Sequence, residues 1–134
     1  MHEKATETGA VTGGVKILLH LEGLTLFAVM VMLYANWGGS WLIFAALFFV
    51  PDLSFLAYLA NARFGAMAYN AVHSYMAPAA LLAMGVSLAS PLAQSIAVIW
   101  LAHIGIDRAI GYGLKYAAGF GFTHLGRIRP QKDA

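Results

Sequence analysis

The stretch FGAMAYNAVHSYMAPAALLAMGVSLASPLAQSIAVIWLAHIGI, residues 64–106, contains no Asp, Glu, Lys or Arg. A membrane helix needs about 20 mostly apolar residues. This run is too long for one ordinary crossing and fits two, with Ser90-Pro91 supplying the break. Upstream, Gly23 to Pro51 is also free of charge, and Asn36-Trp37-Gly38-Gly39-Ser40 interrupts it with turn chemistry. The expected crossings are therefore Val15–Ala35, Trp41–Leu59, Phe64–Ala89 and Leu92–Leu114. The fold class is all-α, a four-helix transmembrane bundle spanning residues 15–116. Residues 1–14 form a disordered tail and residues 117–134 a cytoplasmic or interfacial one.

Composition agrees. Of 134 residues, 60% are hydrophobic and only 10% charged, against about 25% charged in soluble domains. A soluble fold of this size would lack the polar residues to cover its surface, so lipid is the implied solvent. The apolar segment from Ile17 to Tyr34 is interrupted by His20 and Glu22 and leads into Asn36-Trp37, which fits a retained first span and not a secretory leader. Cysteine is absent, which excludes disulfides, Cys-ligated zinc, iron–sulfur clusters and thiol chemistry. A net charge of +2 is too small for a nucleic-acid groove. The implied partner is the lipid bilayer, with homo-oligomerisation and a small-molecule ligand left open.

The cations set the orientation. Lys4 and Lys16 precede the first crossing, Arg63 lies in the second connection, and Lys115, Arg127, Arg129 and Lys132 follow the fourth. Four crossings put all of these on one side, and the positive-inside rule makes that side cytoplasmic. Both termini are then cytoplasmic, in a multi-pass protein of a bacterial cytoplasmic membrane. Trp37, Trp41, Tyr58, Tyr112 and Tyr116 fall at expected interfaces, where aromatic belts belong.

Depth then brings the polar residues together. At a rise of about 1.5 Å per residue from the cytoplasmic end of each helix, Glu22 lies roughly 9 Å deep, Asn70 roughly 10 Å, Asp52 and Asp107 roughly 12 Å, His73 roughly 15 Å and His103 roughly 18 Å. His103 and Asp107 are i,i+4 and share a face, as do Asn70 and His73 at i,i+3. A charge at mid-membrane costs about 2.5–3.5 kcal/mol, so these groups are expected to face one another. Arg108, turned about 100° from Asp107, is expected to reach toward the headgroups. Pro51 and Pro78 each deny a hydrogen bond to the carbonyl four residues earlier, at Leu47 and Ser74, which frees those oxygens as ligands.

Asp52, His73, His103 and Asp107 are mixed N/O donors suited to zinc, iron or manganese. Asn70 and His124 would stand in the outer shell, and Glu22 would act as general base in a hydrolytic site. Three other readings stay open. The network can be purely structural, as cross-helix hydrogen bonds often are. A proton relay would use the same residues. Bis-histidine haem would use His73 and His103. The IGYG at 110–113 is not a potassium filter, because no spanning segment follows it; Gly105, Ala109 and Gly113 fit a small-residue packing face.

The motifs PDLSFLAYL (51–59), YNAVHSYMAP (69–78), HIGIDRAIGYGLKY (103–116) and THLG (123–126) together resemble a small bacterial integral membrane family known as domain of unknown function 4260. The resemblance runs from about Glu22 to Gly126. It implies a compact bacterial membrane protein, marks Asp52, Asn70, His73, His103, Asp107 and His124 as motif positions, and implies no activity.

Overall fold

The computed structural model describes residues 13–112, 114, 122–123 and 126–127. The chain is all-α in its body. Helix α1 (Gly13–Asn36) is followed by α2 (Trp41–Phe48), a 3₁₀ segment η1 (Val50–Leu59), α3 (Ala62–His73), α4 (Met76–Ser87) and α5 (Pro91–Ile110). Two-residue strands β1 (Phe122–Thr123) and β2 (Gly126–Arg127) pair antiparallel, with Phe122 opposite Arg127. Two stretches, Gly13–Asn36 and Trp41–Leu59, are long and apolar enough to cross a membrane.

The turns form where the sequence places them. Ser40 caps α2 by accepting from the Ile43 N–H, and Ser90 caps α5 by accepting from the Ala93 N–H. Asn61 caps α3 through a 2.7 Å bond from the Phe64 N–H. Each side-chain oxygen satisfies one of the amides a helix start leaves open. Gly111, at φ +99°, ends α5 in the left-handed conformation that glycine adopts without a Cβ penalty.

Two expected crossings are not single α-helices. The stretch from Trp41 to Leu59 changes at Pro51 from α to 3₁₀, because proline has no N–H to continue the i→i−4 pattern. The Leu47 carbonyl it cannot serve accepts from the Phe49 N–H and is not a free ligand. The stretch from Phe64 to Ala89 is broken at Ser74, whose backbone is extended at ψ 157°, four residues before Pro78.

Helix α5 is the hub. Ala97, Val98, Ile99, Leu101, Ala102, His103, Ile104 and Gly105 are all buried. It runs antiparallel to α1, and the two cross at glycine. A Cβ on Gly23 would stand 2.7 Å from the Gly105 carbonyl oxygen and 2.8 Å from the Ala109 nitrogen. One on Gly105 would stand 2.8 Å from the Phe27 nitrogen. The small-residue face at Gly105 and Ala109 is thus a packing face, while Gly113 lies outside the described residues. The His20 Nδ1 donates to the Ala109 carbonyl at 2.9 Å, so the start of α1 and the end of α5 share one end of the bundle. An aromatic ladder, Trp41–Phe44–Phe48, descends α2 and ends edge-on against His103, with successive centroids 5.2, 5.6 and 5.2 Å apart.

Outside this core the surface is apolar. Leu42, Leu59, Met76, Leu88 and Leu92 are each at least 70% exposed. Only 17% and 6% of the two membrane-length windows are buried. A soluble core helix would hide such residues; these helices present them outward.

Candidate metal centre

Three elements meet where η1, α3 and α5 come together. Asp52 opens η1, His73 ends α3, and His103 and Asp107 lie one turn apart on α5. Tyr58 fixes the first element against the second. Its ring lies flat over Gly65, where a Cβ would come within 2.3–2.6 Å of three ring atoms. In a 3₁₀ helix, residues three apart eclipse one another, so Asp52, Phe55 and Tyr58 line one side of η1. The segment can therefore rest on Gly65 at one end and deliver Asp52 to His73 at the other.

The ligand atoms of the four side chains all lie within 4.8 Å of one another. His103 Nε2 is 3.1 Å from Asp52 Oδ1 and 3.1 Å from Asp107 Oδ2. His73 Nε2 is 3.3 Å from Asp52 Oδ1, 3.6 Å from Asp107 Oδ2 and 3.2 Å from His103 Nε2. The two imidazoles are buried, whereas the side chain of Asp52 is 36% exposed and that of Asp107 15%. The arrangement is dry on the histidine side and open on the carboxylate side.

The Tyr69 carbonyl, 2.9 Å from His73 Nδ1, can only accept, so Nδ1 carries the proton. In a neutral imidazole the Nε2 of His73 is then a bare lone pair. It faces two carboxylate oxygens, which only accept, and the Nε2 of His103, whose own Nδ1 has no partner. One proton would satisfy one contact among these, while a divalent cation would satisfy all four donors. Five of the six pairwise spacings are close to those of a tetrahedral site, and the Asp52–Asp107 pair lies within 4.8 Å. Zinc–ligand bonds of about 2.0–2.1 Å in a tetrahedron put donor atoms about 3.3–3.4 Å apart, and the five distances above run from 3.1 to 3.6 Å.

The outer shell is uneven. His73 has the usual support of a metal-ligating histidine, an Nδ1–H on a carbonyl, and Tyr69 stacks on its ring with centroids 3.7 Å apart. His103 Nδ1 is buried with no hydrogen-bond partner, and its ring is held by packing against Phe48. No further group of His, Cys, Asp or Glu among the described residues is gathered closely enough to hold an ion.

The other expected site residues fall as follows. Asn70 is half-buried one turn before His73 on α3. His124 lies outside the described residues. Glu22 is exposed on α1, in a shallow groove with Leu18, Thr25 and Val29, and is not among the gathered carboxylates. It sits at the right level but one residue off the right face, because Gly23 is the position turned against α5. Arg108 does not reach for headgroups. It donates to the His73 carbonyl at 3.0 Å and stacks 4.8 Å over the Tyr75 ring. Trp100 donates to the Val72 carbonyl at 2.7 Å. These two α5 side chains cap the broken end of α3, the role that sequence reading missed; the signal for it was the pair of donors on α5 opposite a proline-broken helix. His20 ties α1 to α5. The two Nε2 atoms of His73 and His103 are 3.2 Å apart, with the carboxylates of Asp52 and Asp107 beside them.

A family model described as Domain of unknown function (DUF4260) matches residues 16–128. The chain belongs to this family. The match includes all four gathered side chains, and it assigns the family no activity. No curated protein and no solved structure matches the chain.

Proposed function

We propose that this member of the family is a multi-pass protein of a bacterial cytoplasmic membrane that holds one divalent cation, zinc, iron or manganese, between Asp52, His73, His103 and Asp107. The observation that carries the reading is the convergence of four lone-pair donors at coordination spacing, with His73 Nδ1 already committed to a carbonyl. The membrane part is supported by the apolar outer surface and the two long apolar helices. The side-by-side ends of α1 and α5 agree with an even number of crossings, and the placement of the cations supports cytoplasmic termini by the positive-inside rule.

A bound divalent ion would supply Lewis acidity for hydrolysis. The protein's part would be to leave the carboxylate side open to water and substrate, since the histidine side is closed. Proton transfer during such a reaction would fall to Asp52, the most exposed of the four.

Metal analysis of the detergent-purified protein tests the proposal. The wild type should carry about one equivalent of metal per chain. The double variant His103→Ala/Asp107→Ala should carry less than about a tenth of that while keeping its helical content, because removing two of four ligands leaves no tetrahedral set. A wild type that stays metal-free when zinc, iron and manganese are each supplied would overturn the reading.

A further inference from the structure

Beside the cluster lies a cavity of about 480 Å³ with an almost entirely apolar wall. Pro51 and Leu53, the chain neighbours of Asp52, line it, as does Val72, the neighbour of His73. Leu47, Val50, Ile96 and Trp100 extend it away from the cluster. The wall contains one buried polar atom without a hydrogen-bond partner, the Ser54 Oγ. The volume falls within the range of about 300–1,000 Å³ typical of small-molecule sites.

The direction of the cavity decides what fits it. Leu47 and Val50 precede Asp52 on a segment that runs toward the end of the bundle shared by the start of α1 and the end of α5. Ile96 and Trp100 precede His103 on α5, which runs the same way. The cavity therefore extends from the cluster toward the middle of the bundle. A molecule with its apolar part in this space and its polar end at Asp52 would be oriented as a lipid of the cytoplasmic leaflet is.

We infer that the cavity binds the acyl chain of a single-chain amphiphile whose oxygen-bearing head, a carboxylate or carboxylic ester, lies at the Asp52 side of the cluster. This names the substrate class for the proposed centre and rests on that reading for its chemistry, though not for chain binding itself. An acyl chain is flexible and fully apolar, so it matches a wall that offers one hydroxyl and no charge. Ser54 would donate to a head or ester oxygen, which would end its isolation.

The test uses the full chain in phosphatidylcholine vesicles with a small fraction of palmitic acid that carries a mid-chain diazirine. After photolysis, the adducts are mapped by peptide mass spectrometry. Adducts should concentrate at least about tenfold in residues 47–54 and 96–100 over lipid-facing positions such as Leu42, Met76 and Leu92, and excess plain palmitate should displace them. Ile96→Trp, which fills the cavity, should lower them about tenfold; Val72→Phe serves if Ile96→Trp fails to fold. Adducts spread evenly over outward faces, or undiminished in a folded cavity-filling variant, would overturn the inference. Running the same labelling on the His103→Ala/Asp107→Ala variant separates the two claims. Cavity labelling in a protein that never binds metal sinks the metal centre alone, and a metal-loaded wild type without such labelling sinks the chain site alone.

Discussion

Helix α5 meets its neighbours in two unlike ways. Against α1 it presents Gly105, and the helices approach until no Cβ would fit on either side. Against η1 and α3, two residues (about half a turn) in each direction from that glycine, it presents His103 and Asp107 to Asp52 and His73. The first contact is one of close van der Waals packing, which small residues allow by letting two backbones approach. The second gathers two carboxylates and two imidazoles at one point, the set proposed above to hold a cation. A polar network used only as glue needs donors matched to acceptors, and interhelical hydrogen bonds of that kind contribute about 0.6 kcal/mol each. Here two carboxylate oxygens and the bare Nε2 of His73 crowd one point, so acceptors outnumber the donors available to them.

The contrast breaks most easily at the glycine. Gly105→Leu should destabilise the protein by about 3 kcal/mol or more, because the obstruction is the backbone of Phe27 and Gly23, which no rotamer change relieves. Thermal melting in detergent should show the drop to the same extent with and without added metal. If metal rescued the variant, the two contacts would not be independent.

A smaller effect is expected where the 3₁₀ segment begins. Six residues of 3₁₀ helix complete two turns, whereas six residues of α-helix fall about 120° short. Pro51→Ala restores the missing N–H and should let η1 relax toward α. Asp52 and Tyr58 could then no longer reach His73 and Gly65 together. Metal affinity should fall about tenfold, a change of about 1.4 kcal/mol, measured by competition with a chelating dye, while the α1–α5 contact and most of the thermal stability persist. Unchanged affinity would show that Pro51 does not set the register of Asp52.

The smallest effect is expected at Glu22. Since this carboxylate is exposed on the outer face of α1, Glu22→Gln should leave metal stoichiometry unchanged and move affinity by less than about twofold, well under the roughly 1.4 kcal/mol of a tenfold change. A larger loss would place Glu22 at the cluster after all.

These outcomes bear on what the sequence could convey. The all-α class, the helix starts at Ser40 and Ser90, and the packing role of Gly105 and Ala109 follow from local chemistry, so they were legible. So was the meeting of Asp52, His73, His103 and Asp107, because depth along a helix is simple arithmetic once the crossings are placed. Rotation about the helix axis was not legible. Glu22 has the right depth, yet its neighbour Gly23 takes the inward face, and only the α1–α5 crossing decides between them. Backbone departures were half legible. Pro51 and Pro78 announced irregularity without saying that one would tighten a helix to 3₁₀ and the other would accompany a break at Ser74. The partners of the broken end, Arg108 and Trp100, are about 30 residues downstream and belong to tertiary structure alone.

Trp100 offers one more use. Its indole donates to the carbonyl of the residue that directly precedes His73, while Trp37 and Trp41 sit exposed near the connection between α1 and α2. With those two replaced by phenylalanine, the remaining fluorophore would report from the cluster's own backbone. Its emission would then follow any binding event at the cluster with neither a dye nor knowledge of the ligand.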